Sequence, residues 1–207
     1  MIIYVPDPLP SDRFGLLVTP TFSPHRRHDR VMVDIGKKYA ITGGFSMFDY
    51  FRFISKVEAQ TRAAEVRVVY PDAFCNPYQT RELFYRFMRI AKRHWIKIYV
   101  AHNFWETYDP PPEADIIALP ARQQCDIKCD KYPRICARRI VDFLMKHEDR
   151  PIHLLGPAQK TLRYVLMSRL RIDSIDTTAY HRQIRSKQDK SKLTELLIRW
   201  LAGAGIQ

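Results

Sequence analysis

The stretch EVRVVYPD, at residues 65–72, is a short apolar run that ends in a polar residue, Asp72. The pattern recurs in IKIYVAH at 96–102, DIIALP at 115–120 and PIHLLG at 151–156, and RIDSID at 171–176 closes the series. Helix-sized segments follow most of these runs, and strands of this length that alternate with helices pair in parallel. In parallel α/β folds the functional side chains gather where strands end. Asp72, His102 and Asp176 are therefore the first candidates for a site.

The segments around this series favour a barrel. Upstream of residue 65, strands are expected at residues 14–19, 30–34 and 38–42. Apolar residues at helical spacing predict helices at 47–64, 80–94, 133–147, 159–170 and 190–202. The total of about seven or eight β units approaches the number that a (β/α)8 barrel needs. We expect an α/β fold of this class, a compact TIM-like barrel that is either complete or trimmed. An open doubly wound sheet is the alternative that periodicity leaves open.

The length of 207 residues and the 46% hydrophobic content allow one well-packed core. We expect a single domain over residues 1–207, with a proline-rich segment at 1–30 and a basic connector and terminal helix at 182–207. No apolar run approaches the length of a membrane span, and the first residues lack the pattern of a signal peptide. These features predict a cytoplasmic protein with no membrane partner.

The charge balance points to a polyanionic partner. Lys plus Arg number 34 and Asp plus Glu number 22, so the net charge is +12. A surplus of this size attracts nucleic acid through counterion release, although a generally basic surface is the simpler alternative. Arg182, Arg185 and Lys187 are the residues expected to hold phosphates beside the site.

The cysteines are Cys75, Cys125, Cys129 and Cys136, too few for a secreted disulfide scaffold in a chain of this length. The spacing of the last three matches neither a paired zinc motif nor an iron–sulfur motif, and His147 is the only nearby fourth ligand. We therefore expect no metal or other cofactor, and zinc in particular is not expected. Free thiols or a local disulfide are the two alternatives.

Two carboxylates at strand ends favour glycosidic chemistry. In such chemistry one carboxylate attacks the anomeric carbon, and a second nucleophile resolves the covalent sugar adduct. Asp176 and Asp72 are the candidate catalytic residues; alternatively, Asp72 only caps its loop, with Thr80 as the helix cap. His102 and Asn103 could bind a base or phosphate, but a structural histidine is an equal alternative.

Other polar and glycine positions along the runs have simpler interpretations. His153 lies inside a predicted strand, where a buried, hydrogen-bonded histidine is expected rather than an acid or base. Gly156 and the Gly43–Gly44 pair allow a ring or phosphate to approach the backbone closely, although glycines at strand ends are often only turn residues.

Four pieces carry a family resemblance: YAITGGFS at 39–46, Pro71-Asp72 with Thr80 leading the next helix, HLLG at 153–156 and DSIDTT at 173–178. In this order they resemble the tRNA-guanine transglycosylase superfamily, and most of all its short bacteriophage and archaeal relatives that place 7-deazaguanines in DNA. The similarity covers about residues 38–182 and is compatible with a virus-encoded protein.

The resemblance implies a barrel that exchanges guanine for a modified base without breaking the nucleic-acid backbone. It implies that Asp176 is the nucleophile that attacks the sugar C1′ and that Asp72 recognises the base. It further implies that the turn of Gly43, Gly44 and Phe45 lines the base pocket and that Gly156 leaves room beside it.

The chain departs from the family pattern at two places. Ile41 stands where the family usually has an aspartate before the glycine pair, and Asp34 is the nearest upstream carboxylate. The family's zinc site follows the nucleophile and uses clustered cysteines, whereas the last cysteine here is Cys136. We expect a base-exchange transglycosylase, and the short chain favours DNA over tRNA. The alternatives are a non-catalytic nucleic-acid-binding protein on the same scaffold and a nucleoside or nucleotide hydrolase.

Overall fold

The computed structural model describes residues 1–6, 14–20, 27–35, 46–105, 109–177 and 193–206. Within them, eight parallel strands form a closed barrel in chain order. The strands are β1 Ile2–Val5, β2 Phe14–Val18, β3 Arg30–Val33, β4 Glu65–Val69, β5 Ile96–Val100, β6 Ile116–Pro120, β7 Ile152–Leu155 and β8 Ser174–Asp176. The barrel closes where β8 pairs with β1, with Tyr4 opposite Asp176. The predicted (β/α)8 TIM-like barrel is confirmed, and closure excludes the open doubly wound sheet.

The helices of the described residues cover the outside of this barrel. They are α1 Met47–Thr61, α2 Pro77–Met88, α3 Pro133–Lys146, α4 Gln159–Leu166 and α5 Leu193–Ala204. Each overlaps a predicted helix, and the differences lie at the ends, where hydrophobic periodicity gives the weakest signal.

The start of α2 corrects the alternative in which Thr80 is the helix cap. The cap is Asn76, whose side chain accepts a hydrogen bond from the Gln79 amide at 3.0 Å, and Pro77 occupies the first turn. Thr80 lies inside the helix, where its hydroxyl accepts from the Ala73 amide at 3.0 Å. This bond folds the loop between β4 and α2 back over the helix and fixes its path at the barrel end.

One strand was not predicted. β1 has only four residues, IIYV, without the alternation that marks a half-buried strand, and a proline follows it directly. Its burial comes from its neighbours, since it pairs with β2 on one side and with β8 on the other. The strand expected at residues 38–42 lies outside the described residues.

Alternate strand residues face two different apolar layers. Outward-facing residues pack beneath the helices, and inward-facing ones fill the barrel centre, as expected for the two-residue repeat of a strand. The buried central layer consists of Tyr4, Leu17, Met32, Val69, Ile98, Val100, Ile116 and Ala118. This packed centre leaves the carboxyl-terminal end of the barrel as the place where a cavity can open.

All four cysteines form disulfides, Cys75 with Cys125 and Cys129 with Cys136. The alternative of free thiols is therefore wrong, and Cys129–Cys136 is the local disulfide that the spacing allowed. The expectation of a cytoplasmic location gains no support from two disulfides, because such bonds are rare in a reducing compartment. Among the described residues, none of the helices combines the length and apolar character that a membrane crossing requires.

Candidate active site

A cavity of about 580 Å³ opens at the carboxyl-terminal end of the barrel. Residues at or just after the ends of six strands, β3 to β8, contribute to its wall. The lining residues are Asp34, Val69, Asp72, Phe74, Val100, His102, Pro120, Arg122, Gln123, Lys128, Asp130, Leu155, Gly156 and Asp176. Four of the five predicted site residues within the described part of the chain line this one cavity.

Asp176 is held from two directions. It is the last residue of β8, and its Oδ1 accepts hydrogen bonds from the Gly156 amide at 2.8 Å and from His153 Nε2 at 3.1 Å. Its side chain is 12% exposed, and the exposed part faces the cavity. The arrangement fixes one carboxylate oxygen, Oδ1, at the wall of the cavity.

Asp72 pairs with His102, another of the predicted site residues. Its Oδ2 lies 2.6 Å from His102 Nε2, and His102 is buried. The ring edge of Phe74 packs against the imidazole at a centroid distance of 5.6 Å. Both members of this pair follow their strands, β4 and β5, by two or three residues, so they lie on loops rather than within the sheet. The alternative that Asp72 only caps its loop does not explain this contact.

Asn103 and Gly156 have positive φ angles for different reasons. Asn103, at φ 54°, turns the chain after β5, and it is not among the residues that line the cavity. Gly156, at φ 51°, does line it, and its amide points at Asp176. An added Cβ at Gly156 would meet no protein atom within 4 Å, so what calls for a glycine here is the left-handed backbone, and the room that it would leave for a ligand stays a prediction.

A third carboxylate lies on the same cavity. Asp34 directly follows β3, the position at which parallel barrels present functional side chains. Asp34 is the carboxylate nearest upstream of Ile41 in the sequence, and it shares the cavity with Asp72 and Asp176. The strand-end rule that selected Asp72 could have selected Asp34 as well.

A buried tyrosine lies behind this acidic side of the cavity. The hydroxyl of Tyr50, on α1, donates to the carbonyl oxygens of Val33 at 3.2 Å and Val69 at 2.8 Å, the last residues of β3 and β4. Burial raises the pKa of Tyr50 well above its ordinary value, and the negative charges of Asp34 and Asp72 raise it further. The hydroxyl therefore keeps its proton and ties the ends of the two strands together.

The sequence reasoning missed the loop that follows β6. It brings Arg122, Gln123, Lys128 and Asp130 to the cavity rim, and Arg122 and Asp130 form an ion pair at 3.6 Å. No apolar pattern marks these residues, which occupy a polar stretch between a strand and a helix. Their basic members, Arg122 and Lys128, bring positive charge to the rim.

One disulfide joins two loops at the mouth. Cys75 lies on the loop that carries Asp72, and Cys125 lies on the loop after β6, with their Cα atoms 5.3 Å apart. The second loop is also held to α3, where Arg139 donates to both carboxylate oxygens of Asp126 at 2.7 Å. These contacts fix the rim on the β4 to β6 side of the cavity.

Six predicted site residues lie outside the described residues. They are Gly43, Gly44 and Phe45 of the expected base pocket, and Arg182, Arg185 and Lys187 of the expected phosphate contacts. Their roles stay predictions. Among the described residues, no group of His, Cys, Asp and Glu side chains is arranged to hold a metal ion.

The fold and the cavity define a parallel (β/α)8-barrel protein whose polar site lies at the carboxyl ends of the strands. No family model matches the chain, and comparisons with curated proteins and with solved structures returned no match.

Proposed function

We propose that this protein is a base-exchange transglycosylase that replaces guanine in nucleic acid by a 7-deazaguanine through a covalent Asp176–sugar intermediate. The observation that carries the proposal is the placement of Asp176 and the Asp72–His102 pair on one cavity, from β8 and from the β4 and β5 loops. Strands β4 and β8 are four positions apart in either direction around the ring. A sugar can thus be reached from one side while its base is contacted from the other.

The size of the cavity supports this occupant. Pockets of about 300–1,000 Å³ bury most of a small organic ligand, and the cavity of about 580 Å³ lies within that range. A base in a duplex hides its glycosidic carbon in the stack, so the target nucleotide has to be extruded into such a pocket. The acidic wall offers hydrogen-bond acceptors to the N–H groups at the edge of guanine.

The proposed reaction has two displacements. A lone pair on Asp176 Oδ2 attacks C1′, the C1′–N9 bond breaks, and its electron pair leaves with guanine, which takes up a proton from the Asp72–His102 pair. The incoming 7-deazaguanine then gives a proton to that pair, and its nitrogen attacks C1′. The C1′–Oδ2 bond breaks, and its electrons return to the carboxylate. Each displacement inverts C1′, so the original configuration is restored.

Charge supports a nucleic acid as the substrate. The net charge of +12 favours a polyanion, and Arg122 and Lys128 add basic side chains at the rim beside the acidic pocket. DNA is the proposed substrate in preference to tRNA. Because the proposed nucleic-acid substrate lies inside the cell, the proposed location is cytoplasmic.

The test is exchange of labelled guanine into DNA and into tRNA. Wild-type protein and Asp176→Asn are compared, with Asp142→Asn as the matched control, because Asp142 is an exposed carboxylate on the outer face of α3. We expect incorporation by the wild type and the control but none by Asp176→Asn.

Other outcomes of the same assay would contradict the proposal. Incorporation by Asp176→Asn at the wild-type rate would remove Asp176 as the nucleophile. Release of guanine without incorporation would indicate a hydrolase. Binding of nucleic acid with neither release nor incorporation, by a folded wild-type protein, would indicate the non-catalytic alternative.

A further inference from the structure

We propose that His153 is a positioning residue for Asp176, and that a directed chain of hydrogen bonds from Arg67 through Ser174 and His153 determines which oxygen of Asp176 meets the substrate. The catalytic part of this inference rests on the proposed function. The direction of the hydrogen bonds does not depend on it and can be measured separately.

The strand register brings the three side chains together. Ser174 and Asp176 are two residues apart on β8, so both face the barrel interior. His153 of β7 lies opposite Ser174 in the register and is completely buried. Its ring spans both neighbours, with Nδ1 at 2.9 Å from Ser174 Oγ and Nε2 at 3.1 Å from Asp176 Oδ1.

The chemistry of the side chains determines which group donates and which accepts in each hydrogen bond. Arg67 carries only donors, and its Nη1 lies 3.4 Å from Ser174 Oγ, which must accept there. The single hydroxyl proton of the fully buried Ser174 is then available for His153 Nδ1. With Nδ1 as the acceptor, the ring proton resides on Nε2 and is donated to Asp176. The imidazole is thus held in one tautomer.

Packing holds Arg67 and His153, at the two ends of this series of hydrogen bonds, in place. Arg67 Nε donates to Glu65 Oε1 at 2.6 Å, which satisfies its charge inside the barrel. Tyr4 lies between the two ends: the guanidinium of Arg67 is 5.6 Å from the centre of its ring, and the ring meets His153 edge-on at 6.2 Å. The imidazole therefore has packed neighbours that oppose rotation, and its hydrogen bonds are preorganised.

The consequence falls on the two oxygens of Asp176. Oδ1 accepts from both His153 and the Gly156 amide, so Oδ2 is the oxygen presented to C1′. When the incoming base displaces the carboxylate, the same two donors stabilise the negative charge that returns to it. His153 would therefore orient Asp176 for the first displacement and stabilise the departing carboxylate in the second, without contacting the substrate and without contributing to substrate binding.

The first test separates rate from binding in two variants of one residue. His153→Met fills a similar volume but has no donor, whereas His153→Gln keeps an N–H at the end of the side chain. We expect His153→Met to lower kcat by about 10²-fold with KM unchanged, since a misaligned nucleophile costs about that much. His153→Gln should recover most of this loss. Urea unfolding of both variants checks that they remain folded.

Equal kcat values for His153→Met and the wild type would overturn the inference, as would a loss that His153→Gln does not recover although both variants fold. A merely structural histidine would change the two variants in proportion to their stability. It would not separate kcat from KM.

The second test does not need activity. Nitrogen-15 NMR of histidine-labelled wild-type protein reports which ring nitrogen carries the proton, and the His153 signal is assigned by its absence from His153→Gln. We expect a protonated Nε2 and an unprotonated Nδ1. A protonated Nδ1 would overturn the inference. If the wild type forms no sugar adduct yet shows this tautomer, the proposed function fails while the directed hydrogen bonds stand.

Discussion

Two histidine–aspartate pairs each contribute their aspartate to the cavity wall, and they are built differently. His153 and Asp176 lie within β7 and β8, where strand register sets their distance, and a second donor, the Gly156 amide, holds the carboxylate. His102 and Asp72 lie on loops beyond their strands and share a single hydrogen bond of 2.6 Å. The same two residue types are thus rigidly fixed on one side and loop-borne on the other.

In the proposed transglycosylase, this difference corresponds to two separate roles. A nucleophile has to meet one carbon in one orientation, which favours a carboxylate held by strands. Recognition of a departing and then an incoming base is assigned to residues on loops, which the Cys75–Cys125 disulfide tethers at the mouth. A third pair, Glu58 with His94, lies outside the cavity, where the histidine side chain is 62% exposed. It provides a comparison for what such a pair contributes in water.

The largest expected effect comes from comparing the same substitution at Asp176 and at Asp72. Asp176→Asn should abolish the covalent sugar adduct and lower exchange by at least about 10³-fold, because the amide is not a nucleophile. Asp72→Asn should still form the adduct but lower kcat/KM by about 10–10²-fold, since it weakens base contacts and proton transfer. Denaturing gel analysis of trapped complexes measures the adduct. Adduct formation by Asp176→Asn, or loss of the adduct only in Asp72→Asn, would contradict the assignment of Asp176 as the nucleophile.

The disulfide across the mouth tests how far the loop-borne side depends on its tether. Cys75 and Cys125 are 50 residues apart, so the chain-entropy model predicts that their disulfide adds about 4 kcal/mol to the free energy of unfolding. Cys129 and Cys136 are 7 residues apart, and the same model predicts a contribution of about 2 kcal/mol. The paired serine variants, compared by urea unfolding without reductant, should show this order. Removing Cys75–Cys125 should also raise KM more than it lowers the rate of adduct formation. Equal destabilisation of the two variants would contradict the expected order.

A substitution at Gly156 tests how the strand-borne carboxylate, Asp176, is held. Gly156→Ala should lower the free energy of unfolding by about 1–2 kcal/mol because an alanine is strained at φ 51°. It should also slow adduct formation by moving the amide that holds Asp176. Gly205→Ala is the matched control, because Gly205 has φ 87° and open space around an added Cβ but lies at the end of α5. Equal adduct rates in the two variants would show that the Gly156 amide does not position the nucleophile.

The smallest effect is expected at Glu58, whose pair with His94 lies outside the cavity. Burial favours a higher pKa for Glu58, but hydrogen bonds from Lys92 and His94 outweigh it and lower the pKa of Glu58 below its ordinary value of 4.5. A lowered carboxyl pKa adds stability above pH 4.5 and loses it as the pH falls through the folded-state pKa. Glu58→Gln should therefore cost less than about 1 kcal/mol at pH 7. Urea unfolding from pH 7 downward should show that the difference in free energy of unfolding between the wild type and Glu58→Gln narrows below pH 4.5. A difference that stays constant with pH would contradict the explanation.

The strand-end residues were predictable because hydrophobic runs locate the end of each strand. Asp72, His102 and Asp176 follow such runs, and the closed barrel brings all three to one cavity. The bond between His153 and Asp176 was not predictable, because it depends on the register between two strands that a helix separates. The Cys75–Cys125 bond had no local signal for the same reason, since loop contacts across the mouth leave no periodicity in the sequence.

The closure of the barrel by β1 has a practical consequence. Strand β1 begins at Ile2, opposite Ser174, and its direction is parallel to that of every other strand. An affinity tag, dye or solid support attached to the first residue therefore enters at the barrel floor, away from the open end. Protein immobilised by this route would present its cavity to the solution, which suits direct binding measurements with long DNA.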